Sequence, residues 1–359
     1  MLNIVKFIIE HPHDWETLLT SPPYSLSIKR KDTRILFKYS QIESDFSLDI
    51  VKEARGLILE DKTWKVICYP FNKFFNFGEE YADNVDWESA VVETKEDGSL
   101  IKIYFYNDEW KIATNGTIDA EDAELQSGPY KNFRQLFDAA AEKCHFDFSK
   151  LNRYFTYCCE ICSEFNIIIC PQSEMRLIHI GTRNNRTFQE VETDIGIPHP
   201  QRYTLSSLED CIAMAKTFDF TKEGFVVKDK NYNRIKVKSE DYVRVHRFAN
   251  NGSITLERAI DLIRINELGE FLVYCPQYTG FINDVRHRFN KFYSDIYFNV
   301  NMALIEKLER ETRKDFAAVA KTFKYPVVWF KVYDTKSFDI DVWISSLTIA
   351  KLASYLEEY

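Results

Sequence analysis

Thr94-Lys95-Glu96-Asp97-Gly98-Ser99-Leu100-Ile101-Lys102-Ile103 is the stretch from which the chain can be laid out. A lysine enters a turn, an acid follows, Asp97-Gly98 closes the turn, and an alternating strand begins at once. Asp-Gly before alternating apolar residues is a hairpin signal, and by itself says no more than that. Its company is more informative: Arg55-Gly56 and Lys73-Phe74-Phe75-Asn76 precede it, while Glu160, Glu223-Gly224 and Lys236-Val237-Lys238 follow. One amine among cations, acids and glycines is the set of residue types that would hold a nucleoside triphosphate and its metal around a nucleophile.

Working outward, Leu100 to Tyr106 and Glu109 to Thr114 read as a hairpin. Tyr24 to Ile28, Arg34 to Tyr39, Leu57 to Glu60 and Lys65 to Tyr69 read as further antiparallel strands joined by polar turns. Downstream, Phe155 to Ile161, Ile167 to Cys170, Met175 to Gly181, Gly224 to Lys228 and Arg234 to Lys238 return to strand. Ala120 to His145 reads as helix interrupted near Ser127-Gly128-Pro129, and Ser206 or Ser207 caps a helix running to about Phe218. Leu2 to Leu19 holds one or two short helices, with Pro12 suited to a first turn.

After Asn250-Asn251-Gly252 the pattern changes. Helical spacing dominates over Leu256 to Ile265, Phe281 to Lys321 and Ile344 to Glu358, and Pro326 to Tyr333 is the one strand-like run. The expected fold is α+β: antiparallel sheets with flanking helices over residues 1–250, then a smaller, mainly α-helical domain over 251–359. The aromatic series Phe289, Phe292, Tyr293, Tyr297 and Phe298 reads first as core, with a base-stacking surface as the alternative.

With 359 residues, 45% hydrophobic and 28% charged, the composition is that of an ordinary globular chain with room for two domains. A formal charge of −9 argues against a broad polyanion binder, so contact with nucleic acid must come from a local basic site. Met1 to Glu10 is an apolar run broken by Lys6 and Glu10, without a small-residue cleavage site, and no run approaches a membrane span. Eight scattered cysteines do not form a small disulfide framework, and a reduced, cytoplasmic protein is the expectation. Cys159-x-x-Cys162 lies on a predicted strand, where residues three apart face opposite ways, so buried thiols are expected instead of zinc ligands.

The last strand carries the clearest alternation. Period two puts Lys236 and Lys238 on one face and Ile235 and Val237 on the other, although an edge strand guarded by lysines would look the same. Glu160 stands in an otherwise uncharged strand, a setting in which a carboxylate needs a partner or a metal. Glu223-Gly224 places a second acid at the mouth of a strand, beside a glycine that admits close backbone approach.

In this order, Glu53-Ala54-Arg55-Gly56, Lys73-Phe74-Phe75-Asn76, Lys95-Glu96-Asp97-Gly98-Ser99, Glu160, Glu223-Gly224-Phe225-Val226 and Lys236-Val237-Lys238-Ser239 resemble the covalent nucleotidyltransferase superfamily. More narrowly, they resemble the ATP-dependent RNA ligase 1 family of the phage T4 type, which includes tRNA-repair ligases. The likeness spans about the first 245 residues. It implies a ligase adenylation domain in which Lys95 attacks the α-phosphorus of ATP, leaving a lysyl-AMP. It implies that Arg55, Lys73, Lys236 and Lys238 bind phosphates and that Phe75 and Gly98 border the nucleotide. Glu223 would face the ribose or the metal's water shell, Glu160 and Glu223 would hold hydrated Mg²⁺, for which Mn²⁺ can substitute, and Asp97 would shape the turn.

Free lysine is protonated near neutrality, so neighbouring cations such as Lys238 and the metal are expected to release its lone pair. One departure stands out: Thr114-Asn115-Gly116 puts the neutral Asn115 where the family has a basic residue touching the triphosphate. The implied reaction joins 3′-hydroxyl and 5′-phosphate RNA ends, in cleaved tRNA among other substrates, through an RNA-adenylate. No membrane partner is expected, and a monomer is the default oligomeric state. DNA ligases and capping enzymes are the near alternatives, but they place an all-β domain after the last lysine strand where this chain reads helical. From another class comes a catalytically idle RNA-binding protein, whose mark would be a lost nucleophile or acid, and none is lost. The helical domain is a candidate RNA-specificity module.

Overall fold

The computed structural model describes residues 1–125, 128–166, 170, 172–219, 221–240, 242, 254–265, 268–274, 278–310, 312–335 and 337–359. The first strands form a four-stranded antiparallel sheet of β1 (Leu26–Lys31), β2 (Arg34–Tyr39), β3 (Arg55–Glu60) and β4 (Val66–Cys68), in that order. Alternation sorts β2 into two faces: Ile35, Phe37 and Tyr39 bury among the helices Asn3–Glu10 and Asp49–Glu53. Glu53 holds the first of these helices by accepting from the backbone N–H groups of Asn3 and Ile4 at 3.1 and 3.0 Å, donors that a helix start leaves without partners. The other face, carrying Leu36, turns toward the next sheet.

The remaining strands are β5 (Phe75–Asn76), β6 (Val91–Thr94), β7 (Ser99–Tyr106), β8 (Glu109–Thr114), β9 (Phe155–Cys162), β10 (Arg176–Asn184), β11 (Glu190–Val191), β12 (Arg202–Tyr203), β13 (Gly224–Lys228) and β14 (Arg234–Lys238). They build two five-stranded sheets, ordered β11-β10-β9-β7-β8 and β12-β6-β13-β14-β5. All pairings are antiparallel except β5 with β14. The chain passes from one sheet to the other between β6 and β7, through Lys95 to Gly98. The lysine turn is therefore one of the two passages between these sheets, the other lying between β11 and β12.

Each sheet buries one face under a helix. Ile101 and Ile103 of β7, Ile112 of β8 and Tyr157, Cys159 and Ile161 of β9 pack against the helix Phe133–Lys143, whose start Asn132 caps. Ile235 and Val237 of β14 and Phe225 and Val227 of β13 pack against the helix Leu208–Ala215, capped by Ser207. The strand faces left over, carrying Glu160, Lys102, Lys236 and Lys238, follow from period two.

A buried ion triad ties these sheets together. Glu190 of β11 accepts from Arg234 of β14 at 2.5 and 2.7 Å and from Arg183 of β10 at 2.9 Å. Burial pushes the Glu190 carboxyl up, but the two guanidinium groups outweigh this and hold it below the usual carboxylate range. The stability this contributes is present above the ordinary carboxylate pKa and is lost as pH falls through the lowered folded value. Glu190→Gln should cost about 3–5 kcal/mol, because it leaves buried guanidinium charge uncompensated. Thermal unfolding of both proteins at neutral pH checks this; equal melting temperatures would show that the triad is idle.

The chain divides into two compact units, Met1–Gly252 and Ser253–Tyr359. The expected boundary at Asn250 to Gly252, and Ile167 to Ile169 of an expected strand, lie outside the described residues. Among its described residues the second unit is helical, with a helix of 31 residues, Thr279–Glu309, as its longest element. Phe289 and Phe292 of that helix are buried, whereas Tyr297 and Phe298 are half exposed. Pro326 to Tyr333, expected as a strand, is instead the helix Pro326–Asp334. Pro326 sits where a first helical turn needs no N–H, and Val328, Trp329 and Val332 bury along one side. Trp329 Nε1 also donates to Asn299 Oδ1 of the long helix at 2.8 Å, so packing overrides the strand propensity of a Val- and aromatic-rich run. No helix among the described residues is long and apolar enough to cross a membrane.

Candidate active site

Lys95 is fixed first by its backbone, whose N–H donates to the Gly224 carbonyl at 2.8 Å and so continues the pairing of β6 with β13. Its side chain, 21% exposed, reaches Glu223 Oε2 at 2.8 Å. Lys238 of β14 reaches the other oxygen, Oε1, at 3.1 Å, and both Lys238 and Glu223 are almost wholly buried. One carboxylate thus bridges two ammonium groups. Gly224 makes this possible, because a Cβ there would lie 2.2 Å from the Val237 carbonyl oxygen and its φ of +137° suits only glycine.

Lys238 lowers the pKa of Lys95 as expected, but it does not decide the net direction. Burial works against the ammonium and Lys238 adds to that, but the touching Glu223 carboxylate, helped by Glu160, outweighs both and holds Lys95 above its ordinary value. The closest charge decides the sign.

Glu160 lies opposite Leu100 of β7, and Lys102 opposite Cys158, so Glu160, Cys158 and Lys102 share a face of their sheet. Burial pushes the Glu160 carboxyl up to about 7, against the pull of Lys95 and Arg55, while Glu223 and Asp97 reinforce the rise. Asp97 itself is buried and occupied: it accepts from the Cys170 N–H at 2.6 Å and from the Tyr242 hydroxyl at 3.2 Å. It ties the lysine turn down.

The segment before β5 splits by alternation. Phe74 turns toward the cations, with Arg55 5.7 Å and Lys236 5.2 Å from its ring centroid. Lys73 and Phe75 turn the other way: the Lys73 ammonium lies 5.3 to 5.5 Å from the rings of Tyr39, Phe46 and Phe75, a cation–π cage. Phe75 is buried, edge-on to Phe46 and Tyr81. Of the neighbouring phenylalanines, the ring between Arg55 and Lys236 is Phe74, which sequence reading passed over. Which of two adjacent rings faces the site depends on strand phase, and a two-residue strand gives no period to read.

Gly98 packs on β9, where a Cβ would stand 2.4 Å from the Ile161 carbonyl oxygen, so its glycine is explained by strand contact. Asn115 presents a buried Oδ1 with no hydrogen-bond partner, close to Gly56 and Lys102. A cleft of about 740 Å³ opens on Lys95 and Glu223, with Gln172, Arg176, His199 and Tyr203 on its walls.

Among the described residues, no three acidic, histidine or cysteine side chains gather as a metal cage, and the described cysteines are free. Mg²⁺ needs no cage, since it keeps several waters and is held by one or two carboxylates. Glu160 fits such an ion: its carboxyl is desolvated, and a nearby dication would restore its charge. Glu223, with one oxygen on each of two lysines, fits the ion less well.

A sequence model described as RNA ligase, of the T4 RNA ligase 1 type, matches residues 53–242, over half of the chain. The chain belongs to the RNA ligase 1 family. A putative bifunctional polynucleotide kinase/RNA ligase of Autographa californica nuclear polyhedrosis virus is 28% identical over 88% of this chain and 47% of its own length. The chain thus spans about half of that relative. An RNA ligase of Rhodothermus phage RM378 is 26% identical over 87% of this chain and 89% of its own. Among solved structures, an archaeal ATP-dependent RNA ligase shows a distant likeness, with 14% identity and a TM-score of 0.48 over 76% of this chain and 74% of that one.

Proposed function

We propose that the chain is an ATP-dependent RNA ligase that joins 3′-hydroxyl and 5′-phosphate ends through lysyl-AMP and RNA-adenylate intermediates. The observation that carries this reading is the Lys95–Glu223–Lys238 bridge at the lysine turn between the two sheets. In the free protein Glu223 keeps Lys95 protonated and unreactive. Ribose hydroxyls of a bound nucleotide would offer Glu223 new donors, loosen its grip and let the ammonium shed a proton to solvent. The amine lone pair then attacks the α-phosphorus: an N–P bond forms, the bond to the bridging oxygen breaks, and pyrophosphate leaves with the electron pair. Arg55 and Lys236, on either side of Phe74, and Lys238 supply positive charge for the phosphoryl oxygens.

Glu160 would hold hydrated Mg²⁺, which when bound neutralises phosphate charge. AMP then passes to an RNA 5′-phosphate, and attack by the 3′-hydroxyl displaces it. Lys73, in its aromatic cage, supports the wall of the site beside Phe75. We place the reaction in RNA repair, cleaved tRNA included, since the viral relative's name couples a kinase, a source of 5′-phosphates, to an RNA ligase. The helical unit is the proposed RNA-selecting part.

Incubation with ATP and Mg²⁺ should raise the intact mass by one AMP, and the protein should then seal a 5′-phosphorylated RNA. Absence of the adduct would sink the proposal. Glu160→Gln should slow AMP attachment about 10²–10³-fold, the usual loss for one well-placed electrostatic group, with its melting temperature near the parent's. A rate within a few-fold of the parent would make Glu160 a structural acid.

A further inference from the structure

Asn76 ends β5 directly opposite Lys236 of β14, and residues so paired share a face, here the one turned away from the core side chains Ile235 and Val237. Phe74, two residues earlier, lies on the same face with its ring between Lys236 and Arg55. Asn76 is only 6% exposed. Glu79 clamps it at two points: one carboxylate oxygen accepts from the Asn76 backbone N–H at 2.7 Å and the other from Nδ2 at 3.0 Å. The Glu79 N–H donates back to the Asn76 carbonyl at 3.1 Å. Because an ionised carboxylate only accepts, the amide nitrogen must face Glu79, which fixes the direction of the amide. Its other end, Oδ1, is buried and has no hydrogen-bond partner. A buried acceptor left unmatched destabilises the free protein, and a donor carried in by substrate would relieve it.

Phosphate oxygens carry no hydrogen to donate, so Arg55 and Lys236 suit them and Asn76 Oδ1 does not. Waters on a metal ion are donors, but Glu160, the acid that would hold that ion, belongs to the other sheet. In-line displacement puts the pyrophosphate, and after it the RNA 5′-phosphate, opposite the Lys95 nitrogen on the α-phosphorus. Both RNA ends therefore meet on the side where the pyrophosphate was held. The group that arrives there with hydrogens to donate is the ribose that ends the accepting strand. Of its two hydroxyls, the 3′ one gives up its proton as it attacks, and a neutral amide oxygen is no base for it. The 2′-hydroxyl keeps its hydrogen throughout and needs only an acceptor.

We propose that Asn76 determines specificity for the accepting strand: its Oδ1 accepts a hydrogen bond from the 2′-hydroxyl of the nucleotide that supplies the 3′-hydroxyl, and so selects RNA over DNA at the joint. The inference rests on the ligase reading. The 2′-hydroxyl is the group by which a protein tells the two nucleic acids apart at a given position. A site built to bond a hydroxyl rejects the analogue that lacks it, because its own buried polar atom is then left unpaired. Glu79 keeps the amide from turning its nitrogen toward the substrate.

The test supplies a 5′-adenylated RNA donor, which bypasses the chemistry on ATP, and two RNA acceptors that differ only in a 2′-hydroxyl or a 2′-hydrogen on the last nucleotide. Parent protein should seal the ribose-ended acceptor about ten-fold faster or more. In Asn76→Ala the ratio of the two rates should fall close to one, through loss on the ribose-ended strand. Glu79→Ala, which leaves Asn76 in place but frees its amide to turn, should lower the ratio as well, and serves where Asn76→Ala does not fold. The parent's ratio kept in either folded variant would overturn the assignment, since equal slowing on both acceptors is the mark of a structural role or of a contact to the metal's waters. Parent protein that seals neither acceptor sinks the ligase reading, whereas a parent that seals both alike sinks only the assignment of Asn76.

Discussion

Lys95→Ala should take up no AMP from ATP at all, yet should still seal RNA supplied with a 5′-adenylate. The side chain is the proposed entry point of AMP; of the other described lysines nearby, Lys238 is buried and paired with Glu223, and Lys102 is spent on the Gly56 carbonyl. The later step uses an adenylate already on RNA, so it loses only what Lys95 contributes as a positive charge near the phosphates. Stability should fall by no more than about 1 kcal/mol, because Glu223 keeps Lys238 as partner and a partly exposed ion pair contributes little. Labelled ATP followed by denaturing electrophoresis reads the first result, and pre-adenylated RNA the second. Label retained on Lys95→Ala would show that another residue is the nucleophile.

What sequence alone revealed, and what it hid, follows from the range of the interactions. The β13–β14 pair and the β7–β8 hairpin were legible because alternation is local, and the structure pairs Gly224 to Lys228 with Arg234 to Lys238 residue for residue. Lys102 was not legible as a buried cation. It alternates with Ile101 and Ile103 as a solvent-facing residue would, and only the docking of the first sheet, through Leu36, Ile58 and Cys68 against Tyr104, covers that face. The same docking brings Lys29 and Lys38 to Gly116 across a long stretch of sequence, with no motif to announce it.

The sign of the Lys95 shift was hidden for a related reason. Composition places both cations and acids around the amine, but the balance turns on contact at 2.8 Å with Glu223, which a list of nearby residue types cannot rank. In the second unit, Pro326 to Tyr333 shows the limit of propensity: Val and aromatic residues favour strands on average, yet a proline at the first turn and a buried face against the long helix decide for a helix.

The strand β14 allows the sharpest separation of chemistry from stability. Val237→Ala removes methyl groups from the core shared with Phe225 and Cys211, and should cost about 2 kcal/mol through lost burial and a small cavity. Lys238→Ala, one residue along and on the opposite face, should cost a comparable amount by leaving the buried Glu223 with one partner instead of two. Their effects on AMP attachment should nevertheless diverge. Lys238 opposes the hold of Glu223 on the Lys95 proton, so without it the ammonium is gripped more firmly and the phosphates lose a ligand. Lys238→Ala should therefore slow attachment about 10²–10³-fold. Val237→Ala, measured at 25 °C where both variants remain folded, should stay within a few-fold of the parent. Equal losses of rate at equal stability would mean that β14 acts only as scaffold, and that its alternation of lysine with valine does not separate a reactive face from a core face.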